Sequence, residues 1–477
     1  MRNTITFLLD GSPVEIDFSR EKSIRPTTTV LDYLRSLPSH RGVKEGCAEG
    51  DCGACTVVIA APSGDGGLAY RAVDSCLLFL PMIDGKQLIT VEDLRSPDGA
   101  LHPVQEALVA HHGSQCGFCT PGFVMSMFAL YKSSSHPSRA DVEDALTGNL
   151  CRCTGYRPIV DAAMEACARG PRDHFTVREK DVLAALGSLP RGDVEIRTGM
   201  ERYYRPESIS NALDALRKFP DATVISGATD AALRVTKRQE RLGTVIDLGA
   251  LEELRGVGVA AGVLQLGAGI PLADVAPVLR ENFPALAETL SVFASRQIRN
   301  CATLGGNLGT ASPIGDTAPV LVAYGARVVL QSYRGVRTLP LDGFFTGYRK
   351  TLREPDELIV AVHIPAPDGA FVRSYKVSRR RDLDIATLSA GFRLEKDGTG
   401  SVRTLTLAYG GMAERTKRAS NTEQFLVGKR WSRETVEEAA GILPRDFRPI
   451  TDVRGSAEFR MAAAKNLLLR FWLDSKG

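Results

Sequence analysis

The sequence predicts a multidomain α+β chain, and three observations predict it: the length, a hydrophobic period that changes along the chain, and cysteines crowded into one stretch. The 477 residues are about three times the roughly 150 of an average domain, so three or four domains are expected. A hydrophobic content of 44% is enough to fill several cores. Of ten cysteines, nine lie between Cys47 and Cys167, and only Cys301 follows. Such clustering in a chain without secretory features points to metal or redox chemistry before disulfides.

Residues 4 to 9 and 14 to 18 read as a hairpin around Asp10-Gly11-Ser12-Pro13, with Val14, Ile16 and Phe18 alternating. Val30 to Leu37 has helical spacing behind a threonine run able to cap it, and Thr56 to Ala60 and Gln87 to Val91 read as strands. Four short helices are then expected at 103–112, 121–132, 140–147 and 157–168, which predicts a bundle. Pro121 and Pro158 suit first turns, and Ser138 with Asp141 resembles a capping box. The charged stretch 169–198 reads as a linker with one short helix, after which a Gly-rich α/β pattern begins.

Charge and pattern exclude several function classes. Fifty-nine basic and 56 acidic residues leave a net charge of +3, too balanced for a nucleic-acid or membrane-surface partner. Asp10 interrupts the start before a signal-length apolar stretch develops, and no run approaches the roughly 18 apolar residues of a membrane span, so a cytoplasmic location is expected. No repeat of fixed period and no Walker A sequence occur. Gly256-x-Gly258 and Gly267-Ala268-Gly269 do not complete G-x-G-x-x-G, and they read as turns between short strands.

Cys47, Cys52, Cys55 and Cys76 have the spacing C-x4-C-x2-C-x20-C, the plant-type 2Fe-2S pattern. Four thiolates around two irons form a compact anionic group that needs backbone N–H donors close to sulfur. Glycines at 46, 50 and 53 clear that approach. Zinc is the competing reading, but its ligands usually come as two close pairs. Cys116, Cys119, Cys151 and Cys153 give C-x2-C-x31-C-x-C. If both of these pairs start helices, the dipole ends would lower the thiol pKa values and favour an anionic cluster.

CAEGDCGAC together with CGFCTPG and NLCRCTGY resembles the two-cluster iron-sulfur domain of the molybdenum hydroxylase family, which includes xanthine dehydrogenases and aldehyde oxidases. The resemblance implies a ferredoxin-like β-grasp 2Fe-2S domain over 1–90 and a four-helix 2Fe-2S bundle over 91–168. After the 169–198 linker it implies an α+β FAD-binding domain over 199–367 and a C-terminal α+β subdomain over 368–477. Gln115 matches the glutamine that contacts the family's pterin cofactor. Cys167 and Cys301 match no ligand position and read as small core residues.

Two further segments suit phosphate binding from the residues alone, although each also reads as an ordinary strand-turn-helix connection. Thr223-Val224-Ile225-Ser226-Gly227-Ala228-Thr229-Asp230 runs from a strand into a small-residue turn, with a helix from about Ala231 and Ala232. Thr303-Leu304-Gly305-Gly306-Asn307, followed by Thr310, Ser312 and Asp316, offers glycines, hydroxyls and one carboxylate. Both resemble the FAD loops of xanthine dehydrogenases, whose first loop more often has two glycines where this chain has Gly227-Ala228. By that match residues 224 to 232 and Thr303 to Asn307 hold phosphate and ribitol, and Asp316 binds the adenosine side. Phe293 packs near the cofactor, and Ile359 and Lys376 touch the flavin. Arg380, Asp382 and Asp384, in a loop that reads from composition as self-paired surface, fall where the family's loop borders the flavin and its nicotinamide acceptor.

The resemblance implies the small electron-transfer subunit of a bacterial xanthine dehydrogenase. A large molybdopterin-binding subunit would oxidise hypoxanthine and xanthine to urate, in an assembly of two small and two large subunits, because no molybdopterin-binding region appears in these 477 residues. Electrons would pass through two 2Fe-2S clusters and FAD to NAD+. The alternatives are the same role beside an aldehyde, nicotinate or other N-heterocycle hydroxylase, or a stand-alone iron-sulfur flavin reductase.

Overall fold

The computed structural model describes residues 2–170 and 172–476, and its chain divides into two compact units. The first holds residues up to Ala250 together with Ser295–Ala302; the second holds Leu251–Ala294 and the chain from Thr303 onward.

The first unit starts with a mixed five-stranded sheet, in the order Ser12–Asp17, Thr4–Leu9, Gln87–Ile89, Thr56–Pro62, Leu68–Asp74. Thr4–Leu9 pairs antiparallel with its hairpin partner and parallel with Gln87–Ile89. One face grips the helix Val30–Ser36, burying Phe7, Ile16 and Phe18 against Val30 and Leu34. Thr29 caps that helix by accepting from Asp32 N–H, as the threonine run predicts. The turn of the first hairpin is shorter than expected, with Asp10 and Gly11 at positive φ and Ser12 and Pro13 already in the strand. Leu68–Asp74 escaped the sequence reading because its burial does not alternate.

Val58, Ala60, Ala72 and Ile89 on the sheet share a second core with Phe123, Phe128 and Ile159 from the helices. The helices span Pro103–Ala110, Thr120–Ser133, Arg139–Leu146 and Arg157–Ala168, close to expectation, and Ser138 and Asp141 do form a capping box. Cys167 is buried in this core, and Cys301 is partly buried against the first.

The 169–198 stretch holds more structure than the one short helix expected. It contains a fifteen-residue helix, His174–Ser188, capped by Asp173, and the strand Val194–Thr198. Phe175, Val182 and Leu186 are buried at helical intervals, a pattern obscured by the charged run Arg178-Glu179-Lys180-Asp181 between them. The strand opens a second sheet, ordered Val194–Thr198, Glu201–Arg205, Thr244–Asp247, Thr223–Ile225.

In the second unit an antiparallel sheet runs Val257–Ala260, Val263–Gly267, Leu358–Pro365, Arg327–Ser332, Gly335–Pro340. Gly258 and Gly267 therefore lie in strands, and the hairpin turn falls at Ala261-Gly262, both at positive φ. Gly267 is needed where it is, since a Cβ there would lie 2.2 Å from the Leu254 carbonyl oxygen. A further antiparallel sheet, Phe371–Val377, Leu388–Lys396, Val402–Gly410 and Lys417–Arg418, shares its core with the helices Ser420–Leu426, Arg433–Ala440 and Ala457–Asp474. Among the described residues no helix is long and apolar enough to cross a membrane.

The helix Thr317–Ala323 crosses this sheet at Gly391, where a Cβ would stand 2.3 Å from the Pro319 backbone. Gly391→Ala should lower stability by about 1–3 kcal/mol, the cost of forcing volume into a packed core. The check is a lower urea midpoint at unchanged slope.

Candidate electron-transfer site

The loop Gly46 to Cys55 turns its amides onto its own sulfurs. Cys47 Sγ accepts from the N–H of Glu49 at 3.4 Å and of Asp51 at 3.3 Å, while Cys52 Sγ accepts from Cys47 N–H at 3.4 Å. Positive φ at Gly50 (76°) and Gly53 (66°) makes the turn, and a Cβ on Gly46 would sit 2.7 Å from Cys52 Sγ. The bond to Cys52, aided by the N–H donors, pulls the Cys47 thiol down to about 5, and the same bond pushes Cys52 up. Cys55 and Cys76 are buried free thiols within hydrogen-bonding reach of each other, and that hydrogen bond, with burial, holds the Cys55 thiol well above its ordinary range. Cys55 Sγ also reaches the buried Asp74 carboxylate at 3.8 Å. Two sulfur pairs, Cys47 with Cys52 and Cys55 with Cys76, drawn from one loop and one lone cysteine and with amides aimed at the first pair, fit a 2Fe-2S cluster better than a zinc site.

The second group is assembled differently. Cys119 occupies the N-cap of Thr120–Ser133 and lies within hydrogen-bonding reach of Cys151, as Cys116 does of Cys153. Burial, followed by the bond to Cys151, pushes the Cys119 thiol up to about 12. Burial also opposes ionisation of Cys151, but donors from Thr154 and Cys153 outweigh it and the thiol is lowered. Only the first pair begins a helix. Cys151 and Cys153 lie in the loop before Arg157–Ala168, where Tyr156, at φ 68°, takes the Cys151 N–H on its hydroxyl at 3.0 Å. Gln115, Cys116 and Cys153 are exposed beside Phe118, which is 49% exposed.

The groups are joined directly: Leu150 N–H donates to the Cys52 carbonyl at 3.0 Å, and Asn149 Nδ2 donates to the Gly53 carbonyl at 3.0 Å. Sequence reading missed Asn149, although it stands two residues before Cys151.

The first candidate flavin loop lies in the first unit. Gly227 has φ 101°, and a Cβ there would lie 1.9 Å from the Cys301 carbonyl oxygen, so no other residue fits. Ala228 is at φ 59° and buried, and the following helix, Ala232–Thr236, is short. Lys237, beyond that helix, donates to the Cys47 carbonyl at 3.1 Å and pairs with Glu49 at 3.2 Å.

The second segment lies in the second unit. Thr303 caps Leu304–Thr310 by accepting from Gly306 N–H, Gly305 N–H donates to the Ala268 carbonyl, and Asn307 Oδ1 accepts from the Thr317 hydroxyl. Thr310 Oγ1 donates to the Gly306 carbonyl, and Ser312 Oγ accepts from Ile314 N–H. Several predicted cofactor contacts are thus also internal struts. Asp316 differs. Lys376 pairs with it at 2.8 Å and also donates to the Val292 carbonyl at 2.9 Å, yet Asp316 Oδ1 is buried and takes no hydrogen bond from any described residue. Burial pushes the Asp316 carboxyl up against the pull of Lys376. An orphaned acceptor of this kind suits a ligand hydroxyl or amine. Ile359 is buried with its side chain at Gly309, and Phe293 is half-buried. Arg380 is tied to Asp384 through Nε at 2.7 Å and through its N–H at 2.9 Å, and Asp384 N–H reaches the Asp382 carbonyl, so the 379–384 loop is braced on itself.

Four family patterns match in sequence order. They are the 2Fe-2S iron-sulfur cluster binding domain over 9–75, the 2Fe-2S binding domain over 90–164, the FAD binding domain in molybdopterin dehydrogenase over 196–367, and the CO dehydrogenase flavoprotein C-terminal domain over 373–475. The xanthine dehydrogenase of Emericella nidulans is 35% identical over 99% of this chain and 38% of its own length. Xanthine dehydrogenase 1 of Arabidopsis thaliana is 32% identical over 93% and 38%. The chain therefore spans about 38% of the length of these curated relatives. Among solved structures, a carbon monoxide dehydrogenase from Hydrogenophaga pseudoflava lacking the Mo-pyranopterin moiety matches at TM-score 0.54 and 30% identity, covering 58% of this chain and 96% of that one. Quinoline 2-oxidoreductase from Pseudomonas putida 86 matches at 0.53 and 28%, with coverages of 58% and 96%.

Two expectations test this geometry. Cys55→Ser should remove one of two EPR-distinguishable 2Fe-2S signals, and retention of both would refute a shared ligand set for Cys47, Cys52, Cys55 and Cys76. At the flavin loop, Ala228→Gly relieves about 1–2 kcal/mol of left-handed strain but loses roughly 0.8 for a buried methyl and about 0.4–1 through the unfolded chain, so it should be near neutral. Gly227→Ala should instead unfold the loop, read as lost flavin and a lower thermal midpoint.

Proposed function

The chain belongs to the molybdenum hydroxylase family as its electron-transfer part, with two 2Fe-2S domains and an FAD-binding domain, and we propose that it is the small subunit of a xanthine dehydrogenase. The observation that carries the reading is the pair of sulfur sets, one with two of its four cysteines buried and the other with two of its four exposed, joined by the Leu150 to Cys52 hydrogen bond. In this reading a large molybdopterin-bearing partner oxidises hypoxanthine and xanthine to urate, in an assembly of two small and two large subunits, and NAD+ is the acceptor. When bound, the clusters supply one-electron steps and FAD supplies the hydride transfer that iron-sulfur centres cannot perform.

The chain's own residues then divide the work. Cys116, Cys119, Cys151 and Cys153 hold the cluster nearer the surface, with Gln115 turned to the partner's pterin, and Cys47, Cys52, Cys55 and Cys76 hold the inner one. Residues 224 to 232 and Thr303 to Asn307 hold phosphate and ribitol. Asp316, paired with Lys376, accepts from the adenosine side. Arg380, Asp382 and Asp384 border the acceptor. Likeness to xanthine dehydrogenases along nearly the whole chain supports the purine substrate. Likeness to quinoline 2-oxidoreductase supports a second reading, the same role beside a hydroxylase of another N-heterocycle.

Purified with its native partner, the complex should form NADH when given xanthine; full activity without molybdenum would sink the reading, and activity on another heterocycle alone would select the second. Lys376→Ala strands a buried carboxylate, a loss of about 3–5 kcal/mol where a buried pair is broken. It should lower flavin content and NAD+ reduction while both cluster signals stay. An unchanged flavin content and rate would remove Lys376 and Asp316 from the site.

A further inference from the structure

We propose that Asn149, seated by Ser126 and Gln297, fixes the route by which single electrons cross between the two clusters, namely the Leu150 N–H to Cys52 carbonyl hydrogen bond. This rests on the reading that the two cysteine groups hold clusters. Leu150 is covalently joined to Cys151, and the acceptor belongs to Cys52 itself, so the 3.0 Å bond links a ligand of one cluster to a ligand of the other through backbone alone. One cluster loses an electron as the other gains it, and the route requires no proton.

A single hydrogen bond between two loops holds its length only if the loops are fixed. Asn149 Nδ2 bridges the Gly53 carbonyl at 3.0 Å and Thr56 Oγ1 at 3.1 Å, both just after Cys52 in the chain. Its Oδ1 accepts from Ser126 Oγ at 2.6 Å and from Gln297 Nε2 at 3.0 Å, and Gln297 Nε2 also donates to Ser126 Oγ at 2.8 Å. The three side chains are 2%, 1% and 1% exposed, so water cannot replace a lost partner. Glycine is needed at both walls. A Cβ on Gly122 would lie 2.2 Å from the Gly53 carbonyl oxygen, and one on Gly148 would lie 2.1 Å from Gln297 Oε1. Each partner comes from a different element: Ser126 from the helix behind Cys119, Gln297 from the short helix Arg296–Arg299, which Arg299 ties to Asp144. Asn149, Ser126 and Gln297 are positioning residues, since none touches a sulfur.

The test uses the full chain carrying both clusters, reduced with dithionite. Low-temperature EPR reads the broadening that two nearby paramagnetic clusters impose on each other, and rapid reduction followed by freeze-quench reads electron equilibration between them. Asn149→Ala and Gln297→Met should keep iron, sulfide and both signals while losing part of the broadening and slowing equilibration, more in Asn149→Ala. A purely structural role would lower the unfolding midpoint and leave both readouts as in the parent, and that result overturns the proposal. Should Asn149→Ala lose a cluster, Ser126→Ala and Gln297→Met decide: slower equilibration in either supports the route, and parent-like rates in both overturn it. A parent chain without two signals would overturn the cluster reading instead.

Discussion

The seating of Gly122 against the Gly53 carbonyl, 2.2 Å from where a Cβ would stand, sets how closely the helical region can approach the loop of the first cysteine group. Backbone packed on backbone leaves carbonyls and amides that water cannot reach, and each needs a partner. Leu150 N–H takes the Cys52 carbonyl and Asn149 takes that of Gly53. The same small-residue contact that brings the groups together thereby creates the polar demand that Asn149, Ser126 and Gln297 meet.

Charge is handled on similar terms. Asp74 and Asp316 are both buried carboxyls, and burial raises both. Asp316 has Lys376 as a counter-charge, whereas among the described residues Asp74 takes a hydrogen bond from the Cys55 thiol alone. Lys237, donating to the Cys47 carbonyl, brings a positive charge beside the first cysteine group.

Cysteine spacing made the first group legible because its ligands sit in one short loop whose glycines are needed for positive φ at 50 and 53. Helix periodicity, with prolines and caps, located the four helices to within a few residues. The helix 174–188 was hidden because its buried residues are few and interrupted by charge, and Gly267 was misplaced because local sequence does not distinguish a turn from a strand that lets another backbone approach, while Gly258 lies in an exposed strand with nothing packed against it. Helix dipoles were expected at both cysteine pairs of the second group, but only Cys119 has one; Cys151 relies on Thr154 and its own loop amides. Gln297 lay beyond sequence reasoning altogether, being 148 and 171 residues from its two side-chain partners.

The departure at Ala228 follows the same physical logic. Positive φ alone costs a non-glycine residue an amount that a buried methyl can offset, whereas a sub-van-der-Waals approach to a carbonyl cannot be offset by anything. Gly227 faces the second condition and Ala228 only the first, so of two adjacent positions where glycine is common in the resembled loop, one is fixed and the other is free to vary. That asymmetry is the reason alanine can stand at 228 without closing the turn, while 227 must be glycine.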